Sequence, residues 1–253
     1  MFQNLFSGLR YFIKFAYNGT HYHGWQSQPN ATTVQQTLEK ALTVILGSEI
    51  AATGAGRTDT GVHAKQMYAH FDFEGFFEIQ ELAYKLNSYL PKDIAIYDII
   101  PVHDDAHARF DAKKRTYEYH MHREKEVFQN ELSWHYHNEL DLEIMNIAAN
   151  ALLRHTDFEC FSKVNTDVGT FFCAVSHAHW EQHGNKIVFK ISADRFLRNM
   201  VRAVVGTLIN VGLHKTTVDE FLEILESRDR SKAGFSVPAH GLYLTHIEYD
   251  YLK

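Results

Sequence analysis

"GAGRTDTGVHA", residues 54–64, separates a helical pattern from a strand pattern and carries more chemistry than either. Glycines at 54, 56 and 61 permit positive φ and close approach of other backbone. Arg57 and Asp59 stand two residues apart, so a loop can present both side chains toward one cleft. One carboxylate without a second acid fits poorly with the paired carboxylates of glycosidases. No Cys/His ligand spacing of a metal site accompanies it either. Two readings stay open at this level: an aspartate acting as nucleophile or base, kept ionised by an arginine, and an Asx-turn aspartate that serves only the loop.

On its N-terminal side, "RYFIKFAY" (10–17) alternates as a strand and "NGTHYHGWQSQPNAT" (18–32) is turn-rich and aromatic. "TVQQTLEKALTVILG" (33–47) puts Val34, Leu38, Leu42 and Ile45 on one helical face, with Thr32 or Thr33 as N-cap and Gly47 as terminator. After the loop come a strand, "KQMYAHFDF" (65–73), a helix stopped by Pro91, "IQELAYKLNSYLP", and a strand, "IAIYDIIPV". A second set begins near Ala108. It holds the strand "KRTYEYHMH" (114–122), an amphipathic helix in 139–155, and a hairpin in 171–193 turning at His183-Gly184-Asn185. A long helix, "RFLRNMVRAVVGTLINVG" (195–212), a capped helix, "TTVDEFLEILES", and a last strand, "GLYLTHIEYDYL", complete it. The expected fold is α+β in two halves, 1–107 with the Asp loop and 108–253 with the Tyr strand and the Arg helix. Each half is a sheet with helices on one face.

The 253 residues, 45% hydrophobic and 22% charged, are enough for one large or two ordinary domains. Two cysteines are too few for a disulfide framework, which makes a reducing cytoplasm the expected compartment. The opening "MFQNLFSGLR" lacks the pattern of a secretory signal, and the longest apolar stretch is too short to span a bilayer. The net charge of −6 argues mildly against a nucleic-acid partner, but the charge is segregated. Residues 109–125 carry six Lys/Arg against three acids, and 195–202 three arginines and no acid.

The long helix is apolar on nearly every side from Met200, so it is expected to be buried. Arg195, Arg198 and Arg202, three and four apart, would form one stripe. An arginine as deep as Arg202 needs an anionic partner, since stranding a buried charge costs about 3–5 kcal/mol. Snorkelling or an ordinary ion pair is the plain alternative. On the strand at 114–122, Arg115, Tyr117 and Tyr119 share a face, an arrangement suited to stacking on unpaired bases or, equally, to a core tyrosine with a cationic rim. The 17 histidines include pairs at 21–23, 120–122, 135–137 and 177–179. No further ligand pattern joins them, and a solvated or structural role, with no metal, is the expectation.

"GAGRTDTGVHA" strongly resembles the signature of the TruA family of tRNA pseudouridine synthases, and other blocks follow in order: "YNGTHYHGWQSQPNATTVQQTLEKAL", "LNSYLPKDIAI", "HARFDAKKRTYEY", "HTDFECFS", "FLRNMVRAVVGTL" and "AGFSVPAHGLYL". The resemblance spans roughly residues 10 to 250. It implies a homodimeric enzyme, using neither metal nor organic cofactor, that converts uridine to pseudouridine at positions 38, 39 and 40 of the tRNA anticodon stem-loop. It also implies two similar halves, each a mostly antiparallel sheet, with a central basic cleft. The catalytic aspartate falls on Asp59, the arginine that enters the RNA helix on Arg57, the active-site tyrosine on Tyr117, and the basic partner of the aspartate on Arg202. The carboxylate would attack C1′ or C6, or assist a glycal route. Arg115, Arg195, Arg198, Lys113, Lys114 and Gln26 are the expected RNA contacts. Two positions depart from the family pattern: Thr60 stands where alanine is usual, and Asp194 where asparagine is common. A non-catalytic tRNA-binding protein using the same cleft is the alternative, and a nucleoside hydrolase releasing uracil a third.

Overall fold

The computed structural model describes residues 9–164 and 169–252. The opening stretch read above for a secretory signal lies almost wholly outside them. The chain divides into two units, one running to Ala112 and taking back the segment from Tyr249 onward, the other Lys113–Glu248.

The first unit contains β1 (Arg10–Tyr17), α1 (Val34–Leu46), β2 (Thr53–Gly54), β3 (His63–Asp72), α2 (Ile79–Tyr89) and β4 (Ile94–Pro101). β1 is central, antiparallel to β3 on one side and β4 on the other, and β2 adds to β3. Phe12 and Ile13, on opposite faces of β1, are both fully buried, so this strand is covered on both sides. Phe12 packs edge-on to Tyr249 at 5.3 Å and to Tyr251 at 6.0 Å, so the returning C-terminal segment contributes aromatic cover. α1 follows its sequence signals. Thr33 accepts from Gln36 N–H as N-cap, Gly47 ends the helix at φ 73°, and Val34, Leu38, Ala41 and Leu42 are buried. α2 stops at Leu90, whose extended backbone (ψ 151°) is what the following Pro91 requires.

The second unit contains β5 (Lys114–His122), β6 (Trp134–His135), α3 (Leu142–Ala151), β7 (Val175–His183), β8 (Lys186–Ala193), α4 (Met200–Gly212), α5 (Val218–Ser227) and β9 (Leu242–Glu248). β5 lies between β9 and β8, and β7 pairs with β8; all three pairings are antiparallel, while β6 adds to β5 in parallel. The hairpin turns where the sequence places it, with Gly184 at φ 60° supplying the conformation of a two-residue loop. Thr217 caps α5 in a full capping box with Glu220.

One expected element is shorter than its pattern. The helix proposed for 195–212 begins only at Met200, so Arg195 and Arg198 precede it and the three arginines do not form a helical stripe. Asn199 is the reason: its backbone is left-handed, φ 68°, which no residue inside an α-helix adopts. From Met200 on, the helix is buried as expected, Arg202 being the half-buried exception in its first eight residues. No helix among the described residues is long and apolar enough to cross a membrane.

Candidate active site

Asp59 sits in the loop between β2 and β3, half-buried, with Arg57 exposed two residues before it. Three glycines suggest a mobile segment, but the loop is fastened along its length. Ala55 N–H donates to Tyr68 O at 2.8 Å, and Val62 N–H to Asp59 O at 3.1 Å. The latter closes a turn with Gly61 at its third position, φ 77°, a conformation suited to glycine. Gly54 and Gly56 do not adopt positive φ, contrary to the freedom read from the sequence. Gly54 is needed for space instead: a Cβ there would lie 2.5 Å from the Trp25 indole.

The turn-rich segment after β1 is the other side of the clamp. Trp25 N–H donates to Thr58 O and Gly61 N–H to Tyr22 O, each at 3.3 Å. Gly24, at φ 84°, packs so closely that a Cβ would come 2.3 Å from Thr58 O. Gly19 N–H donates to His63 Nδ1 at 3.0 Å, and a Cβ on it would meet Val62 O at 2.0 Å. Tyr17 and Thr58 hydroxyls lie 2.9 Å apart. Tyr22 OH donates to Asp93 at 2.7 Å; burial first, and that carboxylate second, push its phenol above the usual range and keep it a neutral donor. Asp59 therefore projects from backbone gripped on both sides. Sequence reading missed this clamp, since no local signal pairs Gly54 with the Trp25 ring that fills its space, or Gly24 with Thr58 O.

Gln26, expected to touch RNA, accepts from Arg57 Nε at 3.2 Å. These two and Asp59 are the expected site residues that lie in the first unit.

The second unit holds the others. Tyr117 lies on β5 opposite Ile191 of β8 and Leu244 of β9, at a shift in the β5–β9 register. Such irregularities redirect side chains. Its ring is largely buried and stands edge-on to Phe196 at 5.1 Å. Arg115 donates from Nη1 to Asp194 O at 2.7 Å. Lys114 pairs with Glu248, and Lys113 is exposed. Arg195 donates from Nη1 to Thr170 O at 3.3 Å, and Arg198 lies exposed in the turn before α4, its carbonyl accepting from Lys163 N–H. Arg202 Nε donates to Val237 O at 2.7 Å, and Val237 N–H returns to Arg202 O at 3.2 Å.

Asp194, the second departure from the family pattern, is exposed, and one of its carboxylate oxygens serves the fold. Its Oδ1 accepts from Arg195 N–H and from Ala174 N–H, both at 2.7 Å. Cys160 and Cys173 are unbridged and buried, and burial pushes both thiols up to about 12, which removes them as thiolate nucleophiles. His120 and His122 are buried on β5, and among the described residues no group of three His, Cys, Asp or Glu side chains is placed to hold a metal ion.

A family model described as tRNA pseudouridine synthase matches residues 13–111 and 148–250. The chain is 52% identical over 241 residues to a protein of Parabacteroides distasonis named tRNA pseudouridine synthase A, covering 95% of this chain and 96% of that one. It is 51% identical to the protein of that name from Bacteroides fragilis, again covering 95% and 96%. With the one from Thermoanaerobacter sp. it shares 42% over 237 residues, covering 92% and 96%.

Proposed function

The chain belongs to the tRNA pseudouridine synthase family, and from that membership we propose that it isomerises uridine to pseudouridine in tRNA, at positions 38, 39 and 40 of the anticodon stem-loop. The observation that carries this reading is the clamped loop. The lone aspartate of "GRTDTG" lies in the matched region on backbone held from both sides, and a fixed carboxylate is what a reaction without metal or cofactor demands.

The reaction breaks the N1–C1′ bond, turns the uracil and joins C5 to C1′; the C5 hydrogen leaves as a proton and N1 takes a proton up, so the product is an isomer of the substrate. Asp59 supplies the carboxylate that acts on C1′ or C6, or assists the glycal route. Tyr117 stacks on the uracil and moves a proton late in the reaction. The family resemblance gives Arg202 as the basic partner of the aspartate, and Arg57 fills the space left when the target base leaves its stack, at a cost of a few kcal/mol. Arg115, Arg195, Arg198, Lys113, Lys114 and Gln26 contact phosphate and sugar, so local patches outweigh the negative net charge. Two similar halves with helices on one face of each sheet, a basic cleft and a homodimer, as the family resemblance implies, and a cytoplasmic location complete the reading.

Tritium release from tRNA labelled at uridine C5 tests it. Asp59→Asn is expected to abolish release while tRNA affinity stays within a few-fold. Full activity in that variant would refute the role given to Asp59. A wild-type protein that binds tRNA but releases no tritium would be the non-catalytic binder, and free uracil among the products would mark a hydrolase.

A further inference from the structure

The polar side of α1 carries a hydrogen-bonded chain that ends on Arg57. Gln35 and Glu39 lie one turn apart on the helix. Gln35 Nε2 donates to Glu39 Oε1 at 2.9 Å and to Ala52 O at 3.0 Å. Its Oε1 accepts from Gln26 Nε2 and from Ser27 N–H, both at 2.9 Å. A primary amide offers two donors and two acceptor sites, and here all four are used. Its orientation is thereby fixed. Turned over, it would set N–H against N–H at Gln26 and Ser27, and oxygen against oxygen at Glu39 and Ala52. Glu39 Oε1 also takes the Ala52 N–H at 2.9 Å. Gln26, its own NH2 group committed to Gln35, is left to turn its oxygen to Arg57 Nε at 3.2 Å.

We propose that Gln35 and Glu39 are positioning residues for Arg57, acting through Gln26. A carboxylate at one end of the chain dictates the direction of each amide, so that an acceptor always faces the guanidinium. Arg57 is long and exposed, and without such a guide it would lose its rotational freedom only on meeting the RNA, at the expense of affinity or rate. The same residues hold Ala52, two positions before Gly54, so the backbone approach to the loop and the Arg57 side chain share one anchor. Gln26 thereby has a duty besides any RNA contact. The inference rests on the role given to Arg57 above.

Single-turnover rates and tRNA affinities are to be compared for the wild type, Arg57→Ala, Gln35→Leu and the double variant. Gln35→Leu is expected to slow the reaction about tenfold, a typical cost of misplacing a substrate-holding group. In the Arg57→Ala background the same change is expected to add little, because the group being aimed is gone. Equal losses in both backgrounds would overturn the proposal, leaving Gln35 as a prop for the fold. Wild-type rates for Gln35→Leu beside an impaired Arg57→Ala would overturn it too, with the reading of Arg57 intact. An unimpaired Arg57→Ala would instead sink that reading and the relay with it. A second route avoids the apolar substitution. Gln35→Glu sets a carboxylate against both Glu39 and Ala52 O, and is expected to slow the wild type while adding little to Arg57→Ala. Equal losses in both backgrounds would also overturn the relay.

Discussion

The loop around Asp59 and the segment just before α4 both carry residues expected to meet the substrate, and they are held in opposite ways. The first is gripped from outside. Backbone atoms of Tyr22 and Trp25 bond to it, and glycines at 19, 24 and 54 let neighbouring groups come where a Cβ would stand. The second is largely held by its own side chains. Asp194 accepts from two backbone N–H groups, and Asn199 takes a left-handed conformation while its amide reaches Ser236 Oγ at 2.6 Å. Glycine content alone therefore says little about mobility, and arginine spacing alone says little about helix. What decides is where the backbone's hydrogen bonds go.

That contrast makes unequal predictions. Gly24→Ala should do the most damage, since it strains a left-handed backbone and drives a methyl group into Thr58 O. A loss of roughly 2–4 kcal/mol in denaturant unfolding is expected, together with most of the isomerase activity. A variant with wild-type stability and rate would show that the outer clamp is not what holds the loop.

Asn199 should be intermediate and graded. Asn199→Gly keeps the left-handed turn and loses the bond to Ser236, for about 1 kcal/mol. Asn199→Val adds the strain of a β-branched residue at positive φ, about 1–2 kcal/mol more. Equal unfolding midpoints for the two would mean that this backbone conformation is not enforced.

The smallest effect is expected at Asp194. Asp194→Asn retains the oxygen that accepts from Ala174 and Arg195, so stability should move by less than about 0.5 kcal/mol. Removing the charge beside three arginines should tighten tRNA binding slightly at low salt, a gain that fades as salt rises. A larger fall in stability would show that the charge, and not the acceptor geometry, organises this segment.

Much of the fold is legible residue by residue. Thr33 and Gly47 bound α1, Pro91 follows α2 by two residues, Gly184 turns the hairpin and Thr217 caps α5, each through chemistry local to a few positions. The beginning of α4 was not legible, because the apolar spacing of Leu197, Met200 and Val201 continues smoothly across the left-handed Asn199. Within the site, the motif located Asp59 and Arg57, whereas the role of Gly24 depends on Thr58 lying beside it. Gln35 and Glu39 look like ordinary polar positions on an amphipathic helix until Gln26 and Ala52 are seen to lie against them.

The sequence by itself determined which segments are helix or strand, where most of them stop, and the family to which the chain belongs, because periodicity, caps and a family motif are written in residue types. Tertiary structure alone decided that the Asp59 loop is clamped, that α4 starts after Asn199, and that the segment from Tyr249 returns to the first unit. These outcomes turn on hydrogen bonds to backbone atoms and on the contacts of one segment with another distant along the chain. Nearly every residue carries the same backbone donor and acceptor, so no letter in the sequence marks which of them will meet.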